Sequence, residues 1–95
     1  MVESLHAGFK VQDYTLWKKS YDEHVEARKA SGEVSFRVFR DVDDPNTLTV
    51  LAVYESEEKA RMFVESPKLK AAMDAAGVIE MGQLLFLQEL DHGTH

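Results

Sequence analysis

The feature that most constrains the fold of this chain is a change between two hydrophobic periods along it. Apolar residues recur at every second position over residues 4–11, which is the spacing of a β-strand with one buried face, and three further segments have the residue types of strands. Apolar residues recur at every third or fourth position in two longer segments, which is the spacing of an amphipathic helix. The pattern predicts strands over residues 4–11, 34–42, 47–54 and 82–90, and helices over residues 14–30 and 56–76.

Residues with special backbone preferences stand at the ends of these segments. Asp13 and Ser56 precede the two helices, where a side-chain oxygen can accept a hydrogen bond from a free backbone N–H group. Gly32 and Gly77 follow the helices, where glycine can take the left-handed conformation that ends a helix. Pro67 lies inside the second helix and predicts a kink there, because proline lacks the N–H donor.

The order of the elements predicts the fold class. Strand, helix, strand, strand, helix, strand is the split βαβ or ferredoxin-like arrangement. It is an α+β fold with a four-stranded antiparallel sheet and both helices on one face. At 95 residues the chain has room for a single domain, residues 1–95.

Two of the predicted strands are apolar on both faces. Residues 48–54 and 84–87 are apolar at nearly every position, whereas a sheet covered on one side alternates between apolar and polar residues. Two helices cover only one face, so the other face needs a second protein surface. The pattern favours a homodimer in which two sheets pack face to face. The alternative is a monomer with an exposed apolar patch.

Composition and charge narrow the class of partner. The chain has no cysteine, which excludes disulfides, thiolate nucleophiles and cysteine-bound metals. Its net charge is −6 and its basic residues are scattered, so binding to a phosphate backbone is not expected. No apolar run is long enough for a membrane helix, and the first residues do not resemble a signal peptide. We therefore expect no nucleic acid partner, no membrane association and a cytoplasmic location.

The first helix places ionisable side chains on its apolar face. At about 100° per residue, three polar or aromatic side chains project within about 40° of Trp17. They are Tyr21, His24 and Arg28. A helix that only fills a core would carry aliphatic residues there, because burial of an unpaired ionisable group costs several kcal/mol.

We interpret this stripe as one wall of a pocket between the helices and the sheet. Trp17 and Tyr21 are predicted to line it, with Phe63 of the second helix as a further wall residue. His24 is the candidate acid or base, since its ordinary pKa of about 6.5 allows both roles near neutrality. Arg28 is the candidate that holds an anion, because its planar guanidinium donates paired hydrogen bonds.

Structural roles are the alternatives. Arg28 lies in the last turn, where a cation suits the helix dipole, and His24 could simply bind a backbone carbonyl. The alanine-rich face of the second helix indicates either a close approach to the sheet or an unfilled cavity for a flat ligand. His6, on the first predicted strand, is assigned to the face opposite Phe9. The two histidines of residues 92–95 lack other ligands nearby, so no metal site and no cofactor is predicted.

Several short segments resemble a known family. They are residues 53–56 (Val-Tyr-Glu-Ser), residues 63–67 (Phe-Val-Glu-Ser-Pro) and residues 69–73 (Leu-Lys-Ala-Ala-Met). Together with the element order and the helix that carries Trp17 and His24, they resemble the dimeric α/β-barrel superfamily. Within it, the chain is most similar to the antibiotic-biosynthesis-monooxygenase-like group, over about residues 5–90.

The resemblance implies a fold and a range of activities. The superfamily includes quinone-forming monooxygenases, cyclases and haem-degrading enzymes. The haem-degrading members carry a tryptophan and a haem-binding histidine where this chain has Phe63 and Met73, so haem degradation is not expected. We expect a protein that binds a small aromatic or polyketide-like molecule and resembles cofactor-independent monooxygenases or cyclases. The alternative is a non-catalytic dimeric ligand-binding or stress-associated module.

Overall fold

The computed structural model describes every residue from Met1 to His95 and contains five strands and four helices. The helices pack on one face of a single antiparallel sheet. The α+β fold class is thus confirmed, with one strand more than the four predicted. The elements are β1 (Val2–Val11), α1 (Tyr14–Glu23), α2 (Val25–Ala30), β2 (Glu33–Arg40), β3 (Thr47–Tyr54), α3 (Glu57–Val64), α4 (Pro67–Ala75), β4 (Val78–Glu80) and β5 (Gln83–Leu87).

The extra strand comes from a bend in one sheet edge. The sheet order is β2-β3-β1-β4, and β5 also pairs with β1. Strands β4 and β5 therefore lie one after the other along β1. The chain turns between them at Gly82, which has φ of 62°. The sequence predicted one strand over residues 82–90, whereas β5 ends at Leu87 and residues 88–95 form no regular structure.

A bulge in β1 lies opposite this bend. The register of β1 against β3 shifts between His6 and Phe9, and Gly8 has φ of 66°. The inserted residue reverses which side chains face the helices. His6 therefore lies on the same face as Phe9, with ring centroids 4.3 Å apart, and its predicted assignment to the opposite face is wrong.

Both predicted helices are divided in two. The kink at Pro67 is confirmed: α3 ends at Val64, and Ser66 caps α4 with proline in its first turn. The break between α1 and α2 was not predicted. It falls at His24, whose backbone leaves helical geometry (φ −96°, ψ 12°) while its ring bonds the carbonyl of Ser20.

The core lies between the helices and one face of the sheet. Alternate residues of β3 are buried there, and burial of each large apolar side chain stabilises the fold by roughly 1.5–3 kcal/mol. One core cluster contains Phe9, Val11, Trp17, Leu48, Val50 and Ala76, and a second contains Ala52, Tyr54 and Ala60.

None of the four helices is long and apolar enough to cross a membrane.

The other face of the sheet is apolar and uncovered by the helices. Leu5 pairs with Leu51 and with Leu85, so these three side chains share that face. Phe39 and Leu87 lie on it as well, and both remain about two-fifths exposed, at 40% and 39%. This is the face that the apolar pattern of the strands predicts to be covered by a second copy.

Candidate functional site

A cavity lies between the two pairs of helices. It has a volume of about 530 Å³, and all of its lining residues belong to helices or to their ends. One wall comes from α1 and α2, and the other from α3 and α4. The sequence predicted a pocket between helix and sheet, and this placement is wrong: no strand residue lines the cavity. Residues on both sides of the break at His24 and of the kink at Pro67 line this space.

All five residues predicted for the site line this cavity. Trp17 is nearly buried and stacks on Tyr21, with ring centroids 4.7 Å apart and an angle of 18° between the rings. Phe63 faces them from α3. Their roles stay predictions, but the structure brings the five together around one space. The five are Trp17, Tyr21, His24, Arg28 and Phe63.

The Tyr21 hydroxyl stays protonated over the physiological range. Burial raises the pKa of Tyr21 well above its ordinary value, and the neighbouring Glu33 carboxylate raises it further. The ring is fixed on three sides: Trp17 stacks on it, Phe36 meets it edge-on at 5.4 Å, and the Arg28 guanidinium carbon lies 3.6 Å from its centroid. Tyr21 can therefore act as a rigid wall and as a neutral hydrogen-bond donor.

His24 lies at the exposed rim of the cavity with one ring nitrogen engaged. Its Nδ1 is 2.7 Å from the carbonyl oxygen of Ser20. A carbonyl oxygen only accepts hydrogen bonds, so Nδ1 carries the proton. In the neutral ring, Nε2 then keeps its lone pair. The carbonyl bond fixes the ring orientation and leaves Nε2 without a hydrogen-bond partner in the protein.

Arg28 is buried in the same wall but has an internal partner. Its Nε donates to Glu33 Oε2 at 2.8 Å, and both side chains are only 4% exposed. Its Nη1 donates to the carbonyl oxygen of Tyr21. The atoms without partners, Arg28 Nη2 and Glu33 Oε1, belong to the same ion pair. Arg28 was predicted to hold an anion of the ligand. Glu33 competes with any such anion, because its carboxylate already neutralises the guanidinium.

Sequence reasoning missed several residues of the site. Ser20, Lys59 and Lys68 line the cavity, and Glu33 supports it from the start of β2. A buried arginine needs a carboxylate, and Glu33 follows the loop directly after the helix, so that signal was present in the sequence. No group of three or more histidine, cysteine or acidic residues is placed to hold a metal ion.

The alanine-rich face of the second helical pair packs partly on the sheet and partly borders the cavity. Ala72 and Ala76 line the cavity together with Leu69 and Met73. The sequence left two interpretations open, and each fits part of this face: Ala60 and Ala76 approach the sheet closely, and Ala72 borders the cavity. Small side chains here leave room for a flat apolar ligand.

Comparisons with solved structures show the fold. SnoaB, a cofactor-independent oxygenase from Streptomyces nogalater, superposes with a TM-score of 0.74 at 15% identity, over 96% of this chain and 94% of that chain. An antibiotic biosynthesis monooxygenase homologue from Bordetella bronchiseptica superposes with a TM-score of 0.75 at 14% identity, over 94% of this chain and 96% of that chain. Another homologue, from Caulobacter crescentus, superposes with a TM-score of 0.72 at 19% identity, over 95% of this chain and 91% of that chain.

Sequence comparison identifies the family directly. No curated protein matches the chain. The family model described as antibiotic biosynthesis monooxygenase matches residues 15–75, which is well over half of the chain and includes both helical walls of the cavity. The resemblance drawn from the sequence is confirmed, and the chain belongs to the antibiotic biosynthesis monooxygenase family.

Proposed function

We propose that this protein binds a small hydroxylated aromatic molecule in the helical cavity and oxidises it with dioxygen, without a metal or organic cofactor. One observation carries the proposal: an aromatic wall and a histidine with a free basic nitrogen line the same cavity. Membership of the family supports it, as does the shared fold of a cofactor-independent oxygenase.

The cavity suits a flat ligand in size and in chemistry. Its volume of about 530 Å³ lies within the roughly 300–1,000 Å³ typical of small-molecule sites. Trp17 and Tyr21 form a stacked pair, and Phe63, Leu69 and Met73 add apolar surface. An aromatic ring packed among them gains from burial and from offset or edge contacts with the side-chain rings.

The chemistry requires a base near the ligand hydroxyl. We propose that His24 Nε2 accepts that proton, because the resulting aryl oxide is a far better electron donor to dioxygen than the neutral arene. With naphthol as substrate, one naphthol and one dioxygen give one naphthoquinone and one water, so no external reductant is needed. The same base could start a cyclisation by removing a proton next to a carbonyl group.

Arg28 has a positioning role in this proposal. Its ion pair with Glu33 joins α2 to β2, and its bond to the Tyr21 carbonyl fixes the end of α1. Both contacts stabilise the helix break at which His24 stands. Arg28 thus orients the aromatic wall and the base instead of contacting the reacting atoms.

We propose in addition that the protein works as a homodimer through the open face of the sheet. Phe39, Leu85 and Leu87 remain exposed on that face, beside the half-buried Leu5 and Leu51. A second copy offers a surface of the same chemistry, and sheets pack face to face in this way.

A dioxygen electrode tests the catalytic proposal directly. Wild-type protein with naphthol should consume one dioxygen for each quinone formed, above the rate of autoxidation without protein. His24→Gln should lower kcat by about 100-fold or more, because general base catalysis contributes roughly that amount. Calorimetry should show that the variant still binds naphthol.

Two results would count against the proposal. If naphthol binds without dioxygen uptake or product, the protein is the non-catalytic ligand-binding module that the sequence left as the alternative. If His24→Gln turns over at the wild-type rate, the base is another group.

A further inference from the structure

The cavity lining is basic, although the chain as a whole is acidic. The chain has 17 acidic and 11 basic residues, yet the charged residues of the lining are all basic. They are Arg28, Lys59 and Lys68, with His24 as a fourth group that can become cationic. No aspartate or glutamate lines the cavity. A cleft lined by one sign of charge raises the local concentration of ligands of the opposite sign.

Two of these three cations already have carboxylate partners. Arg28 is paired with Glu33, and Lys59 is paired with Glu55 one turn before it. Lys68 takes part in none of the ion pairs of the structure. It is therefore the lining cation whose charge is free for a ligand.

Lys68 and His24 stand on different walls. Lys68 belongs to α4, and His24 stands between α1 and α2. Both residues line the same cavity, so a flat ligand whose hydroxyl group faces His24 can direct a substituent toward α4. That substituent then comes within reach of the flexible lysine side chain.

We infer that the preferred ligand of this cavity is a hydroxylated aromatic acid, whose carboxylate pairs with Lys68 while its hydroxyl group faces His24. The inference rests on the proposed function, because it names the substrate class of the same site. Lys68 is a specificity residue in this arrangement and takes no part in the proton transfer. An exposed ion pair of this kind contributes modestly, so the preference is selective but small.

The test compares two ligands of equal shape and different charge. Hydroxynaphthoic acid and its carboxamide are titrated by calorimetry into the wild type, Lys68→Gln and Lys70→Gln. Lys70 is a matched control, because it is an exposed lysine on the same helix, without an ion pair, and does not line the cavity. The acid should bind the wild type and Lys70→Gln about three- to fivefold more tightly than the amide. Lys68→Gln should bind both ligands equally, and added salt should reduce the wild-type preference.

The outcomes separate this inference from the proposed function. Equal binding of acid and amide by the wild type, together with oxidation of both, overturns the role of Lys68 and leaves the oxygenase proposal standing. A preference for the acid that survives in Lys68→Gln also overturns it. If neither ligand binds the wild type, both proposals fail together.

Discussion

At the scale of single residues, the buried pair of Arg28 and Glu33 determines the shape of the site. The guanidinium touches the Tyr21 ring, the Tyr21 carbonyl and the Glu33 carboxylate, so three segments of chain meet at one side chain. Removal of one partner from such a pair leaves a buried charge without compensation, which is far more costly than removal of both.

Arg28→Met should destabilise the protein by about 3 kcal/mol or more, because Glu33 then stays buried and unpaired. Arg28→Met combined with Glu33→Gln should cost clearly less than the sum of the two single substitutions. Urea unfolding of all four proteins at one protomer concentration measures this cycle. Additive effects would show that the pair is not coupled in solution.

His6 should make stability depend on pH. Burial lowers the pKa of His6 below its ordinary 6.5, although its contact with the Met81 carbonyl opposes that change. The unfolded chain then binds more protons than the folded one as the pH falls below about 6.5, so acid favours unfolding.

The measurement compares the wild type with His6→Gln, whose amide can still donate to the Met81 carbonyl but does not titrate. The free energy of unfolding of the wild type should fall more steeply from about pH 7 to pH 5. Parallel curves for the two proteins would show that His6 is protonated equally in both states.

At the scale of elements, two glycines with similar backbone angles have different surroundings. A Cβ added at Gly82 would lie 2.3 Å from the carbonyl oxygen of Ala7 and 2.7 Å from the backbone nitrogen of Phe9. A Cβ added at Gly8 would meet nothing within 4 Å. Both residues have positive φ, so the strain of that conformation is common to both.

Gly8→Ala should therefore cost about 1–2 kcal/mol, which is the strain of a left-handed non-glycine residue. Gly82→Ala should cost more, because the backbone of β1 must also move away from the bend between β4 and β5. Thermal unfolding of the two variants tests this order. If Gly8→Ala destabilises the protein as much as Gly82→Ala, the close approach of the two backbones is not present in solution.

Local sequence signals predicted most of the fold. Features that depend on contacts between separate segments of the chain were not predicted. Hydrophobic period, caps and the proline kink predicted the element order and the antiparallel sheet. The break at His24 was not predicted: the sequence offered a bond from His24 to a backbone carbonyl as an alternative, but nothing in the helical period indicated that α1 ends where this bond forms. The bend at Gly82 depends on the bulge at Gly8, far away in sequence.

The sequence predicted that the five candidate residues line one cavity, but it did not predict the walls of that cavity. Spacing on one helix placed Trp17, Tyr21 and His24 on one face, and the structure brings them to one cavity. The projection assumed a straight helix, so the pocket was assigned to the sheet. Glu33 and Lys68 enter through tertiary contacts, which a helical projection does not contain.

At the scale of the whole molecule, the uncovered sheet face is the surface on which we propose that two copies pack. Leu85 lies in β5 on that face and pairs with Leu5, so a charge placed there should block sheet-to-sheet packing. We expect sedimentation equilibrium at micromolar concentration to show a dimer for the wild type and a monomer for Leu85→Lys. Val42→Lys is the control, because that residue is 98% exposed in the turn between β2 and β3. A wild type that sediments as a monomer would contradict the dimer.

We propose that the ligand binds in the space between the two helical pairs, and a cavity-filling substitution shows whether it does. Ala72→Phe places a ring inside the cavity, whereas Ala71→Phe places the same ring on the exposed side of α4. Calorimetric titration with naphthol, on variants whose circular dichroism matches the wild type, should show binding at least about tenfold weaker for Ala72→Phe and unchanged for Ala71→Phe. A folded Ala72→Phe variant that binds naphthol as tightly as the wild type would contradict the account.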